Sequence, residues 1–177
     1  RDRYVIILSG DQICKQDYAD FLRFHKEKGA EFSVAVMEVD WKEASRFGLM
    51  VADEDDRITE FQEKPPVPKS NLASMGIYIF NWDILKKYLE EDEADPNSKN
   101  DFGMNIIPAL LRDGRKMYAY HFNGYWRDVG TIDSLWEANM EVLDPENSGI
   151  DIFDEKWKIY SRNPVLPAQK IGPRAVA

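Results

Sequence analysis

The first hydrophobic run of the chain covers residues 4–8 and shows no alternation between apolar and polar positions. Such a run is typical of a strand buried on both faces, as in an α/β sheet with helices on each side. Ser9, Gly10 and Asp11 end the run and predict a sharp turn that places the Asp11 carboxylate at the carboxyl edge of the strand. Asp and Gly are common turn residues, so Asp11 is interpreted either as a turn or helix cap or as a ligand-binding carboxylate.

The next two segments predict a helix and a second strand. Residues 17–28 place apolar side chains at helical spacing, with Asp17 as the expected N-cap and Gly29 as the stop. Residues 32–39 are apolar at nearly every position, which indicates another buried strand. This order predicts a parallel βαβ unit with a right-handed crossover. His25 lies on the apolar helix face and is expected to be a hydrogen-bonded core histidine rather than a catalytic base.

Strand and helix patterns continue as far as residue 143. The predicted strands cover residues 47–51, 58–62, 73–80 and 116–122, and the predicted helices cover residues 81–93, 101–111 and 131–143. The acidic run at 53–56 lacks the spaced ligands of a calcium loop and is interpreted as a solvated hairpin turn. Because the strands on either side of that turn would be antiparallel, the sheet is predicted to be mixed.

Two asparagines are assigned roles from their positions. Asn81 directly precedes a helical pattern and is the expected N-cap of that helix. Asn139 lies on the apolar stripe of the last helix and needs a hydrogen-bond partner if the stripe is buried. That stripe, which helical spacing predicts to be buried, consists of Ile132, Leu135, Trp136, Asn139, Met140 and Leu143.

Composition narrows the possible partners. The 177 residues suffice for one domain with a core, and 32 acidic against 23 basic residues give a net charge of −9, which argues against nucleic-acid binding. Cys14 is the single cysteine, so no internal disulfide forms, and a reducing, cytoplasmic compartment is expected. No apolar run has transmembrane length, so no membrane partner is expected. The chain starts with Arg1 and enters a strand at once, which predicts a piece of a larger protein.

Two aspartates are the strongest candidates for chemistry. Asp11 and Asp128 each follow a strand-like segment and precede a helix-like one, so both can lie at one edge of the sheet. Two neighbouring carboxylates repel each other unless a cation lies between them, and Mg²⁺ favours a site with one or two carboxylates plus substrate phosphates. Such a site is typical of phosphoryl or nucleotidyl transfer.

A second set of candidates could hold a sugar phosphate. Lys64 precedes a rigid proline-rich corner and could offer a point charge to a phosphate, although an exposed lysine beside a proline turn is the commoner case. Glu63 could accept hydrogen bonds from sugar hydroxyls. Ser74 and Gly76 are small residues in a bulky strand, which indicates close approach of a ligand or tight packing under a helix.

Together these motifs resemble the bacterial glucose-1-phosphate adenylyltransferase family, the ADP-glucose pyrophosphorylases. The resemblance extends in order and spacing over nearly the whole chain. The motifs that carry it are residues 8–11 (Leu-Ser-Gly-Asp), 44–48 (Ala-Ser-Arg-Phe-Gly), 61–65 (Phe-Gln-Glu-Lys-Pro), 72–78 (Leu-Ala-Ser-Met-Gly-Ile-Tyr), 101–103 (Asp-Phe-Gly) and 124–131 (Gly-Tyr-Trp-Arg-Asp-Val-Gly-Thr).

The resemblance implies an α/β fold, a Rossmann-like nucleotidyltransferase mixed sheet with flanking helices. It implies a transferase that forms ADP-glucose and pyrophosphate from ATP and α-D-glucose 1-phosphate in glycogen synthesis, with Mg²⁺ as cofactor. The sugar phosphate would attack the α-phosphorus of ATP in line. By the family's motifs the catalytic residues would be Asp11, Lys64 and Asp128, with Asp11 and Asp128 as metal ligands. The substrate-binding residues would be Gly48, Glu63, Lys64, Ser74, Asp101 and Trp126.

The resemblance also implies a division of the chain. Residues 1–144 would be the C-terminal portion of the nucleotidyltransferase domain, and residues 145–177 an irregular linker that leads, through residues 171–173, toward a missing left-handed β-helix domain. The family's Gly-rich phosphate loop is not found among these residues, so the chain alone is expected to bind ATP poorly and to be inactive. The full-length parent would be a cytoplasmic homotetramer.

The chain departs from the usual family pattern at Gln12, Cys14, Asn100 and Met104, all near the expected site. These changes suggest an alternative, a non-catalytic regulatory or sugar-binding subunit of the same family. A third interpretation is a nucleotidyltransferase that acts on another nucleotide or sugar. Asp11, Lys64 and Asp128 favour the enzyme.

Overall fold

The computed structural model describes residues 3–162 and 165–167. Long apolar strands and amphipathic helices fold into three layers, with a six-stranded sheet between two helical layers. The strands are β1 Tyr4–Ile7, β2 Gln12–Cys14, β3 Phe32–Glu38, β4 Gly48–Ala52, β5 Ile58–Glu63, β6 Leu72–Asn81, β7 Met117–His121 and β8 Trp126–Asp128. The helices are α1 Tyr18–Glu27, α2 Trp41–Ala44, α3 Trp82–Glu93, α4 Ile107–Arg112, α5 Ile132–Val142 and α6 Pro145–Ser148, and a π-helical turn, Phe102–Ile106, leads into α4.

The sheet is built around β6. Its order is β5-β4-β6-β3-β7, and β1 pairs with the carboxyl-terminal half of β6 on the side where β4 pairs with its start. Only β3 and β7 are parallel neighbours among the described strands. The predicted mixed sheet and the hairpin between β4 and β5 are confirmed. The predicted βαβ unit is corrected, because β1 and β3 run in the same direction but β6 lies between them.

The opening strand is shorter and more exposed than its sequence predicts. It ends at Ile7, and its one partner among the described strands is β6. Ile6 is 39% exposed and Leu8 is 47% exposed, so the prediction of burial on both faces is wrong for the described part of the chain. An unbroken apolar run indicates that a strand is hydrophobic. Whether that strand is buried also depends on which elements pack against it.

His25 confirms its predicted place in the core. The ring is fully buried, with Nδ1 2.8 Å from the Ser33 hydroxyl and Nε2 3.0 Å from Asn81 Oδ1. Burial lowers the pKa of His25 below its ordinary value. Asn81 is the N-cap residue of α3 as predicted, but its side chain makes no capping hydrogen bond to that helix. Its amide oxygen instead satisfies the buried histidine.

Helix α5 forms as predicted, but its apolar stripe does not lie in the core. Thr131 closes a capping box with Ser134 at the start of the helix. Ala138 is the buried residue of this helix, and Asn139 donates to the Leu135 carbonyl of its own helix at 2.8 Å. Ile132, Leu135, Trp136, Met140 and Leu143 are exposed, and Ile132 reaches 86% exposure. Helical periodicity predicts which face is apolar, but it does not predict what covers that face.

The described residues beyond α5 contain little regular structure. One helical turn, α6, is followed by irregular backbone in which Ile150 is buried. Residues 171–173, predicted to approach a further domain, lie outside the described residues, and the predicted division at residue 144 stays a prediction. Within the described residues, no helix is both long enough and apolar enough to cross a membrane.

Candidate active site

A short two-stranded ribbon brings Asp11 and Asp128 together. Strands β2 and β8 pair antiparallel with Gln12 opposite Asp128, and the Val129 N–H donates to the Asp11 carbonyl at 2.9 Å. A Cβ atom added to Gly130 would lie 3.3 Å from Asp128 Oδ1 and 3.8 Å from Asp11 Oδ2. Both carboxylates therefore border Gly130, close together as predicted, but the two-stranded ribbon brings them there rather than the six-stranded sheet.

The carboxylate pair fits a magnesium ion that takes most of its ligands from a substrate. The described residues contain no cluster of three or more His, Cys, Asp or Glu side chains able to hold a metal. The hydroxyl of Ser9 donates to Asp11 Oδ1, which fixes that carboxylate beside Asp128. Mg²⁺ is commonly bound by one or two carboxylates plus phosphate and water oxygens, and Asp11 with Asp128 is a donor set of that kind.

A cavity of about 440 Å³ opens beside the ribbon. Its walls come from β1, β2, β4, β5, β6, β8 and the π-helical turn, several of which are far apart in the sequence. The predicted site residues in its lining are Gly48, Glu63, Ser74, Asp101, Trp126 and Asp128. This volume falls in the range of about 300–1,000 Å³ usual for small-molecule sites.

Two carboxylates converge in one corner of the cavity. A Cβ atom on Gly103 would lie 2.9 Å from Glu63 Oε2 and 3.4 Å from Asp101 Oδ1. A Cβ atom on Gly48, which pairs with Glu63 across β4 and β5, would lie 3.1 Å from the same Glu63 oxygen. Ionised carboxylates only accept hydrogen bonds, so this corner is suited to ligand hydroxyl groups that donate. The glycines leave the room that such a ligand needs.

Tyr78 is a cavity residue that the sequence analysis missed. Burial raises the pKa of Tyr78; the Ser74 hydrogen bond opposes that shift, and the charges of Asp101 and Glu63 add to it. The phenol therefore stays a neutral donor at physiological pH. A signal for Tyr78 was present, since Ser74, Gly76 and Tyr78 recur with the period of two that places residues on one face of a strand.

Trp126 and Gln12 form a linked wall of the same cavity. The Trp126 indole Nε1–H donates to Gln12 Oε1 at 3.2 Å, and the indole ring lies 5.8 Å from the Phe47 ring between centroids. Gln12 entered the sequence analysis only as a departure from a family pattern. The structure places it in the cavity lining, two strand positions before Cys14 and directly opposite Asp128.

Lys64 borders a different space from the one expected. It lines a larger open cleft of about 1030 Å³, which shares Phe47, Gly48, Trp126 and Asp128 with the small cavity. The side chain is 67% exposed, and its Nζ lies 3.9 Å from Glu63 Oε1. The backbone of Lys64 is left-handed, with φ +43°, and its N–H donates to the Phe47 carbonyl at 3.2 Å. The left-handed backbone thus places an exposed cation at the junction of the two spaces.

Strand β8 is anchored to helix α5 along one wall of the larger cleft. Alternate residues of the strand point to opposite sides, so Trp126 and Asp128 line the cavity while Arg127 reaches the helix. Glu141 accepts hydrogen bonds from the Tyr125 hydroxyl at 2.5 Å and from Arg127 Nε at 3.1 Å, and Arg127 Nη2 binds its other oxygen. This arrangement fixes the strand that carries two of the predicted site residues.

Comparison with known proteins identifies the family to which the chain is similar. Residues 1–145 match the family model described as nucleotidyl transferase. A glucose-1-phosphate adenylyltransferase of Clostridium beijerinckii is 65% identical over 172 residues, which cover 97% of this chain and 44% of the relative. Enzymes of that name from Clostridium acetobutylicum and Desulforamulus reducens are 64% and 59% identical over 96% and 99% of this chain. The chain spans about 44% of the length of each of these relatives.

Proposed function

Because the chain belongs to the nucleotidyl transferase family, we propose that its site serves a glucose-1-phosphate adenylyltransferase. The whole protein would convert ATP and α-D-glucose 1-phosphate to ADP-glucose and pyrophosphate. The observation that carries this proposal is a hydroxyl-accepting corner, Glu63 with Asp101, in a cavity that also contains Asp128 of the carboxylate pair. The activity after which the relatives are named supports the same proposal.

The small cavity would hold the glucosyl group. Its hydroxyls would donate to the carboxylates of Glu63 and Asp101, and the hydroxyl of the partly buried Tyr78 would donate to the sugar. Trp126 would offer an apolar face to the C–H groups of the ring. Together, carboxylates on one side and an aromatic surface on the other are suited to a polyhydroxylated ring.

The phosphate of the sugar would extend toward the larger cleft. Lys64 lies at the junction and is free to place its ammonium group against a phosphate oxygen. A sugar-phosphate oxygen would then form a bond to the α-phosphorus of ATP as the bond to the β-phosphate oxygen breaks, and pyrophosphate would leave. Asp11 and Asp128 would hold Mg²⁺, which when bound offsets the charge of the phosphates.

We extend the proposal to the setting of the whole protein. The substrates and product would be glucose 1-phosphate, ATP and ADP-glucose, and the reaction would feed glycogen synthesis. The protein would be a cytoplasmic homotetramer without nucleic-acid or membrane partners. The net charge of −9 supports the absence of a nucleic-acid partner.

A thermal-shift titration tests the proposal. The chain is titrated with glucose 1-phosphate and with ADP-glucose, each with and without Mg²⁺, as the wild type and as Lys64→Ala. Lys86→Ala, on an exposed face of α3, is the matched control. A ligand at 100 times its dissociation constant stabilises the folded state by about 2.7 kcal/mol. We expect a shift that Lys64→Ala reduces and Lys86→Ala retains.

The same titration separates the proposal from its competitors. No shift of the wild type with any hexose 1-phosphate would overturn the proposed site. A shift without ADP-glucose formation by a complete protein that contains this chain would favour the non-catalytic sugar-binding subunit. Product formation with other nucleoside triphosphates in preference to ATP would favour a different nucleotidyltransferase.

A further inference from the structure

Gln12 lines the candidate site but has no role in the proposed reaction. It lies on β2 between Asp11 and the half-buried Cys14, opposite Asp128, and its side chain lines the small cavity. Neither the carboxylate pair nor the hydroxyl-accepting corner needs an amide at this position. The contacts of its two amide atoms indicate what it does there.

The orientation of the Gln12 amide follows from its partner. An indole Nε1–H can only donate, so the Gln12 atom 3.2 Å from Trp126 Nε1 is the carbonyl oxygen. The amide nitrogen consequently points away from Trp126, toward Gly76. A Cβ atom on Gly76 would lie 3.4 Å from Gln12 Nε2, and the φ of +67° at Gly76 also disfavours a side chain. Gly76 therefore leaves open the space that the amide nitrogen faces.

The amide nitrogen of Gln12 carries N–H groups that can donate hydrogen bonds to a ligand. Among residues 3–162 and 165–167, none accepts a hydrogen bond from Gln12 Nε2, although its oxygen is paired. The charged groups in the cavity lining, Glu63, Asp101 and Asp128, only accept hydrogen bonds when ionised. A sugar hydroxyl donates one hydrogen bond and accepts others, so beside the carboxylates it needs donors, of which Tyr78 offers one and the Gln12 amide nitrogen can offer another.

We propose that Gln12 is a specificity-determining residue that donates from Nε2 to a hydroxyl oxygen of the bound hexose while Oε1 holds the Trp126 indole. This inference rests on the proposed function, since it assigns a partner within the same sugar site. The partner is a hydroxyl rather than the phosphate because Gln12 lines the small cavity with Glu63 and Asp101, whereas Lys64 lines the larger cleft.

Two substitutions of Gln12 separate its two contacts. Gln12→Glu keeps an oxygen for Trp126 at the same position but replaces the donor by a second oxygen. Gln12→Leu has a similar length and removes both contacts. Trp126→Phe is the complementary variant, because it removes the indole donor and leaves the Gln12 nitrogen in place. Far-UV circular dichroism and melting temperature show which variants fold.

The binding measurement is calorimetric titration with α-D-glucose 1-phosphate, its monodeoxy analogues and inorganic phosphate. We expect Gln12→Glu and Gln12→Leu each to weaken glucose 1-phosphate binding by about tenfold, the usual size of one lost hydrogen bond. One deoxy analogue should bind the wild type and the Gln12 variants equally, because it lacks the hydroxyl that Gln12 contacts. Affinity for inorganic phosphate should not change.

An NMR measurement tests the orientation of the Gln12 amide separately. In a ¹H–¹⁵N spectrum, the Trp126 indole signal should stay near its wild-type position in Gln12→Glu and move in Gln12→Leu. Equal movement in both variants would overturn the assigned orientation. Equal loss of glucose 1-phosphate and inorganic phosphate affinity would overturn the hydroxyl contact.

The failure of this inference differs from a failure of the proposed function. If the wild type binds glucose 1-phosphate and the Gln12 variants bind it equally well, only the role of Gln12 is refuted. If the wild type binds no hexose 1-phosphate, the sugar site itself is refuted, and the role of Gln12 is refuted with it.

Discussion

Glu141 offers a direct test of whether α5 supports the strand that carries Trp126 and Asp128. Its carboxylate accepts hydrogen bonds from Tyr125 and Arg127, whereas Glu137, one helical turn earlier, binds Arg127 Nη1 at 2.9 Å as its one hydrogen-bond partner in the described part of the chain. Glu141→Gln keeps the size of the side chain but removes its charge. Glu137→Gln makes the same chemical change at a more exposed position and is the matched control.

The expected losses in the free energy of unfolding follow from the burial of each glutamate and from the number of hydrogen bonds that it accepts. The Glu141 side chain is 28% exposed and the Glu137 side chain is 51% exposed. A hydrogen bond to a charged group contributes about 1.5–3 kcal/mol, and partial exposure places Glu141→Gln near the lower end, at about 1.5–2 kcal/mol. An exposed ion pair contributes about 0.2–1 kcal/mol, which is the expected cost of Glu137→Gln.

Denaturant and thermal unfolding at pH 7 measure both variants. For a chain of this length, 1 kcal/mol lowers the melting temperature by about 2–4 °C, so Glu141→Gln should lose about 3–8 °C and Glu137→Gln under about 4 °C. Equal losses, or a larger loss for Glu137→Gln, would refute the conclusion that Glu141 is the principal anchor of β8.

The pH dependence provides a second check on the same carboxylate. Burial acts to raise the pKa of Glu141, but the hydrogen bonds from Tyr125 and Arg127 and the charge of Arg127 outweigh it and lower the pKa below its usual value. A carboxylate with a depressed folded pKa stabilises the protein above its unfolded pKa of about 4.3, and this stabilisation is lost as the pH falls through the folded pKa. The difference between the wild type and Glu141→Gln should therefore be constant near pH 7 and shrink in acid. A difference that grew in acid would contradict this sign.

Three further outcomes are expected. Gly103→Ala should weaken glucose 1-phosphate binding at least tenfold in calorimetric titration, because its Cβ would lie 2.9 Å from Glu63 Oε2, while Gly10→Ala, whose Cβ would meet no atom within 4 Å, should bind normally. Burial lowers the pKa of His25, so below about pH 6.5 the unfolded chain binds a proton that the folded chain does not; the melting temperature should fall from pH 7.5 to pH 5.5, and a flat profile would contradict this. Asp128→Asn should abolish any Mg²⁺-dependent part of the ligand-induced thermal shift and leave the Mg²⁺-independent part, whereas an unchanged Mg²⁺ effect would place the metal elsewhere.

The local pattern of the sequence predicted most of the elements. Helix α1, strands β3 to β7 and the hairpin between β4 and β5 lie within a few residues of the predicted ranges. Side-chain periodicity and turn chemistry are local properties, so they can be read without knowledge of neighbours. The motifs around Asp11, residues 61–65 and Asp128 likewise indicated the chemistry of the site before its geometry was known.

The burial of each element and the pairing of its side chains could not be predicted from local sequence patterns. The apolar stripe of α5 is exposed, β1 is only partly covered, and the side chain of the N-cap residue Asn81 hydrogen-bonds to His25 instead of to the first turn of α3. Each of these outcomes depends on which element packs against which, and a one-dimensional pattern does not contain that information.

The sequence by itself determined the α/β class, the mixed sheet and the residue types of the site, because these follow from periodicity and side-chain chemistry. The tertiary structure alone decided that a β2–β8 ribbon joins Asp11 to Asp128, that Lys64 borders the larger cleft, and that Gln12 and Tyr78 enter the cavity. These are contacts between residues far apart in the chain. Their formation depends on the packing of the whole sheet rather than on any single segment.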